Sequence, residues 1–217
     1  MKNTLLAILC LSISLSAFAH TSDHDVKPKI NFSSLKSVTG ANTYLRVVPG
    51  EIYGFSKVPT EKKKLLESFE VIEAVVNSSE FKQKVISFEG SGPKGGYTSS
   101  NNLTNEEVYN FLMQGRELID GDTTLGEMNL DIKRYKPWYR SAVIGRTTPG
   151  KSKWIEVNGQ HYWKMSVAEM ASNITHEWIH LNGFYHDSAS DKHSVPYAVG
   201  YIVEELAEKY LAQGYLD

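Results

Sequence analysis

The sequence predicts an α+β domain, a mixed β-sheet packed against helices. Three observations carry that expectation. Apolar residues recur at helical spacing in several well-capped segments. Between them lie short runs of alternating or β-branched residues that read as strands. The last strand-like run stands just upstream of one conspicuous helix, which carries the stretch from His176 to His186.

The chain opens Met1-Lys2-Asn3, runs apolar from Leu5 to Phe18 and reaches Ala17-Phe18-Ala19. That is the pattern of a secretory signal peptide, residues 1–19, cleaved after Ala19, so an exported protein is expected, secreted or periplasmic. No later stretch is apolar enough to span a membrane. Cys10 is the single cysteine and would leave with the signal, which excludes disulfides, thiolate metal sites and a cysteine nucleophile in the mature chain. The formal net charge of −2 implies no general attraction to nucleic acid or to an anionic membrane.

Residues 20–58 read as an N-terminal segment, either a propeptide or short strands, and 59–217 as the main domain. Asn42 to Val48 and Glu51 to Phe55 suit two strands around the turn pair Pro49-Gly50. Thr60 reads as the cap of a helix whose apolar face is Leu65, Leu66, Phe69, Ile72, Val75 and Val76. Asn77-Ser78-Ser79 breaks it, and Glu80 to Phe88 is a second short helix or the approach to a strand. Gly90 to Gly96 is a flexible connection; it lacks the lysine and hydroxyl ending of a phosphate-binding loop. Thr104 and Glu107 form a capping box that opens another helix.

Met128, Leu130 and Ile132 alternate with polar residues, as a half-buried strand requires. Ser141 to Thr147 and Lys153 to Asn158 read as two more strands around the turn Thr148 to Ser152. Ser166 with Glu169 makes a second capping box. The helix it opens runs to about Asn182, with Met170, Ile174, Trp178 and Leu181 toward the core. Tyr201 to Ala212 reads as a closing amphipathic helix.

The stretch His176-Glu177-Trp178-Ile179-His180-Leu181-Asn182-Gly183-Phe184-Tyr185-His186 reads H-E-x-x-H-x-x-G-x-x-H. Residues four apart share one helix face, so His176 and His180 can offer two imidazoles to one metal ion. Gly183 can end the helix in a left-handed conformation and bring His186 back as a third ligand. Three nitrogens with a fourth position open is the layout of a catalytic zinc site.

The motif resembles that of the zincin metallopeptidases, and its long form resembles the metzincin branch. The resemblance implies one Zn2+ per chain on His176, His180 and His186, with Glu177 as general base in peptide hydrolysis. It also implies a mixed sheet packed on the active-site helix, with an edge strand bordering the cleft; Trp154 to Asn158 is the expected edge strand. In several metzincins a tyrosine after the third histidine binds the oxyanion, and Tyr197 stands at about that place. The chain departs from the branch in one respect. It has no methionine after Met170, and Pro196 stands near where the methionine beneath the metal is expected.

Other residues compete for roles. Glu204 or Glu205 could supply a third ligand from the closing helix, as in the gluzincin branch, and His193 is a lesser competitor. His161 reads as a turn histidine. Asp187 could orient a ligand ring or cap the turn. Loops 90–102 and 187–196 are expected to form the cleft walls. The expected function is a secreted zinc metallopeptidase, an endopeptidase acting on a peptide or protein substrate. The alternatives are an inactive zincin fold that binds peptides or a partner, and a zinc amidase acting on a non-protein, cell-wall amide.

Overall fold

The structure, a computed structural model, describes residues 44–118, 125–186, 188 and 191–215. The expected signal peptide, most of the segment 20–58 and Asp187 lie outside the described residues.

Four strands form one mixed sheet among the described residues: β1 (Arg46–Tyr53), β2 (Glu127–Tyr135), β3 (Gly145–Arg146) and β4 (Trp154–Asn158). Their order is β1-β2-β4-β3. β1, β2 and β4 run parallel, and β3 returns antiparallel on β4. The register sets Ile52 beside Ile132 and Ile132 beside Ile155. Paired residues share a face, so these side chains form one apolar row. The other face is charged, with Glu156 paired to Lys133 at 3.4 Å and to Arg146 at 2.6 Å.

Six helices complete the described architecture: α1 (Pro59–Val76), α2 (Ser79–Ile86), α3 (Asn105–Leu112), α4 (Gly159–Tyr162), α5 (Val167–Leu181) and α6 (Val195–Ala212). α5 is central; it contacts α1, α6, β3 and β4. Met170, Ile174, Trp178 and Leu181 are all buried, as their spacing predicts. Both expected capping boxes form, at Thr104–Glu107 and Ser166–Glu169. Each satisfies two backbone donors at a helix start.

Several boundaries differ from expectation. β1 is one strand running through Pro49-Gly50, not two strands around a turn. A register irregularity between Pro49 and Ile52 absorbs the pair, and the Glu51 N–H donates to Asp131 Oδ1 at 2.7 Å. An edge strand tolerates the missing proline N–H because it has a free side. α1 begins at Pro59 with no side-chain cap, so Thr60 lies inside the first turn, and Leu66 is 38% exposed. Of Ser141 to Thr147 only Gly145–Arg146 pairs as strand. α6 starts at Val195 rather than Tyr201, because Pro196 in its first turn pre-sets a helical φ.

One correction bears on the site. Trp154–Asn158 is not an edge strand. It lies between β2 and β3, and the edge beside α5 is Gly145–Arg146. No helix among the described residues is long and apolar enough to cross a membrane.

Candidate metal centre

The α5 helix places His176 and His180 on one face, one turn apart. It ends at Leu181, with Asn182 as cap; the Asn182 side-chain amide donates to the Trp178 carbonyl at 2.9 Å. Gly183 follows with φ of 88°, a left-handed conformation that a side chain resists. Its N–H donates to the His180 carbonyl at 2.9 Å, and the Phe184 N–H reaches back to the Ile179 carbonyl at 3.3 Å. Phe184 is buried and meets Phe111 edge-on at 5.3 Å. That anchor turns the chain so that His186 faces the two helical histidines.

All three histidines are buried, and they form a group whose ligand atoms lie within 4.8 Å of one another. The His176 Nε2 atom is 3.2 Å from His180 Nε2 and 3.3 Å from His186 Nε2. The His180 Nδ1–H donates to the Phe184 carbonyl at 2.7 Å. This assigns its proton to Nδ1 and turns the Nε2 lone pair toward the other rings. Nitrogens that share a tetrahedral ion at about 2.0–2.1 Å are separated by roughly 3.3 Å. The spacing therefore fits a metal ion: these three histidines could hold one.

Glu177 follows His176 on α5 and is 2% exposed. Its Oε2 accepts no hydrogen bond among the described residues. Burial pushes its carboxyl up to about 8. A Cβ added to Gly145 would sit 2.7 Å from Glu177 Oε1 and 2.7 Å from Asn173 Oδ1. Only a glycine lets β3 come this close to the carboxylate. Asn173 is one turn before Glu177 and accepts from the Tyr162 hydroxyl at 2.8 Å.

Tyr197 occupies the first turn of α6. Its ring centroid is 4.5 Å from that of His176 and 4.6 Å from that of His186. Burial raises its hydroxyl pKa, which keeps it protonated as a donor. Behind α5, Glu117 accepts from Trp178 Nε1 at 2.5 Å and from the Asn129 backbone at 2.9 Å. It thereby ties β2 to the helix that bears the histidines. Burial pushes the Glu117 carboxyl up to about 7, against the opposing pull of these donors.

The competing ligands go elsewhere. Glu204 faces Ser172, which donates to it, and burial raises its carboxyl pKa. Glu205 pairs with Lys84 at 2.9 Å. His193 Nδ1 accepts from the Ser91 N–H at 3.1 Å, which ties the loop after His186 to the loop at 90–98. His161 Nε2 lies 2.7 Å from the Ser141 carbonyl. None of these joins the three-histidine group.

Sequence reasoning missed Gly145, Asn173 and Glu117. Asn173 was legible in part, since it stands four residues before Glu177 on the same face. Gly145 and Glu117 carry no local signal; they matter through contacts made far along the chain. Comparison with protein-family profiles, curated proteins and solved structures finds no match to this chain.

Proposed function

We propose that this chain is an exported zinc metallopeptidase, with the ion on His176, His180 and His186 and Glu177 as the general base. One observation carries the reading: three Nε2 atoms converge at metal-sharing distance, and the residue after the first of these histidines is a buried carboxylate whose Oε2 accepts no hydrogen bond among the described residues. A structural site would need only the histidines; the buried acid is costly unless it does chemistry.

Zinc bound there supplies Lewis acidity, acidifying water and polarising a carbonyl. The chain's own residues supply the rest. Glu177 takes a proton from the attacking water and delivers it to the leaving amine. Its dry surroundings favour the protonated carboxyl between those two events. Tyr197 donates from its hydroxyl to the developing oxyanion, while its ring braces His176 and His186. β3 is the edge on which an extended peptide adds by backbone hydrogen bonds. An edge accepts chain on both sides of the scissile bond, which favours an endopeptidase.

The test is cleavage of a mixed peptide library by the zinc-loaded exported form, beside Glu177→Gln. Cuts made by the first and absent from the second support the reading. A folded, zinc-loaded protein that leaves every peptide intact overturns it. Cleavage after Ala19 is checked by N-terminal sequencing of the exported protein.

A further inference from the structure

The loop that leads into β3 and the end of α4 expose large aromatic side chains. Trp138 is 95% exposed, Tyr139 55% and Trp163 59%. Singly exposed apolar residues are ordinary. Trp138 and Tyr139 are neighbours, Trp163 is linked to them through Gln160, and the backbone that presents them is fastened down. Trp138 and Tyr139 meet edge-on at 5.3 Å. The Gln160 side-chain amide donates to the Pro137 carbonyl at 3.0 Å and to the Tyr139 carbonyl at 2.8 Å. Trp163 Nε1 donates to the Gln160 carbonyl at 3.1 Å. The aromatics thus point outward from a loop held to α4.

Charge around the cluster is one-sided. Between Asp131 and Glu156 the chain carries no acidic residue. Some of the basic residues in that stretch are neutralised: Lys133 and Arg146 pair with Glu156, Arg134 with Glu61, and Lys153 with Glu51. Lys136 and Arg140, which flank Trp138 and Tyr139, are exposed and make no ion pair among the described residues. Lys164 likewise makes no ion pair among the described residues, and its ammonium lies 5.0 Å over the Trp163 ring. The formal net charge of the whole chain is −2, so this is a local asymmetry.

Exposed indole and phenol rings bordered by unpaired cations match one kind of surface. Tryptophan and tyrosine rest at the headgroup level of a bilayer, and lysine and arginine extend from there to lipid phosphates. A soluble polyanion would satisfy the cations and leave the rings in water. We propose that Trp138, Tyr139 and Trp163, with Lys136, Arg140 and Lys164, dock this domain on an anionic lipid bilayer surface. The contact is peripheral, since no described helix can span. It does not depend on the metallopeptidase reading.

The test is sedimentation of the full chain with vesicles of phosphatidylglycerol and phosphatidylcholine, or of phosphatidylcholine alone. Wild type is compared with Lys136→Glu/Arg140→Glu/Lys164→Glu and with Trp138→Ser/Tyr139→Ser/Trp163→Ser. All six side chains are exposed, so thermal unfolding of the variants stays near wild type. The apolar N-terminal stretch is common to all three proteins, so differences among them report the patch. Each basic residue near an anionic surface contributes about five-fold to partitioning, so charge reversal lowers it by about 100-fold or more. High salt weakens wild-type binding, and brominated lipid quenches the tryptophan emission of wild type but much less that of the aromatic variant. Equal binding by all three proteins overturns the proposal, as does failure of wild type to bind the anionic vesicles. Binding to dextran sulfate without lipid quenching overturns it in favour of a soluble polyanion.

Discussion

Replacing Gly145 by alanine tests whether the proposed chemistry depends on where β3 holds Glu177. The new Cβ would fall 2.7 Å from Glu177 Oε1, 2.9 Å from its Cγ and 2.7 Å from Asn173 Oδ1. Ordinary contact begins at about 3.4 Å, so something must move by about 0.7 Å. Asn173 is pinned by the Tyr162 hydroxyl at 2.8 Å, and α5 is buried on every side nearby. The carboxylate is the group left to shift. A misplacement near 1 Å costs a catalytic group up to about 100-fold in rate, and overpacking a close site costs about 1–3 kcal/mol of stability. The three atoms nearest the methyl belong to Asn173 and Glu177, not to a histidine. Peptide turnover, zinc stoichiometry and thermal unfolding are measured together on the Ala variant. We expect kcat/KM to fall by about 10- to 100-fold, zinc to stay at its wild-type level, and the melting point to drop modestly. Wild-type turnover in the variant would refute the argument that β3 positions the base. Loss of zinc would show instead that the glycine serves the histidines.

Further outcomes follow from neighbouring residues. His186→Ala should abolish tight zinc binding by direct metal analysis, whereas Glu204→Ala and Glu205→Ala should keep it; retained zinc after loss of His186 would break the three-histidine assignment. Gly183→Ala forces a side chain into a φ of 88°, at a cost of about 1 kcal/mol or more, and should weaken zinc affinity by displacing His186; unchanged affinity and stability would count against the role of this turn. Tyr197→Phe should lower kcat with KM little changed; equal kcat removes the hydroxyl from the mechanism. Glu117 predicts a pH dependence. Its folded pKa of about 7 lies above the reference 4.5, so its favourable contribution is complete below about pH 4.5 and is lost as pH rises through 7. The shift corresponds to about 3 kcal/mol. In the metal-free Glu177→Gln background, which removes a second raised carboxyl, Glu117→Gln should flatten the fall in unfolding free energy across that window; an identical slope in both proteins would sink the assignment.

Part of the site is legible in the sequence because its parts lie close along the chain. The four-residue spacing of His176 and His180 needs only the pitch of a helix. The caps Ser166 and Glu169 act within one turn, and Gly183 acts on the residue pairs around it. The alternation Met128, Leu130, Ile132 likewise announces a strand with one buried face. The pair Pro49-Gly50 misleads for the opposite reason. Its turn propensity is local, but β2 alongside offers Asp131 to the Glu51 N–H and holds the strand extended. The closing helix, expected from Tyr201, starts six residues earlier because in its first turn the missing N–H of Pro196 costs nothing.

The sequence by itself determined the helix–strand character of the chain, the residues able to meet at one metal ion, and the acid beside them. These depend on backbone periodicity and on contacts spanning about one or two helical turns. Only the tertiary structure decided that Gly145–Arg146, not Trp154–Asn158, is the sheet edge beside α5. It alone brought Gly145 against Glu177, Glu117 against Trp178, and Tyr197 against two imidazoles. Strand order and the surroundings of a buried charge are set by which distant surfaces exclude water together, and no local pattern encodes that choice.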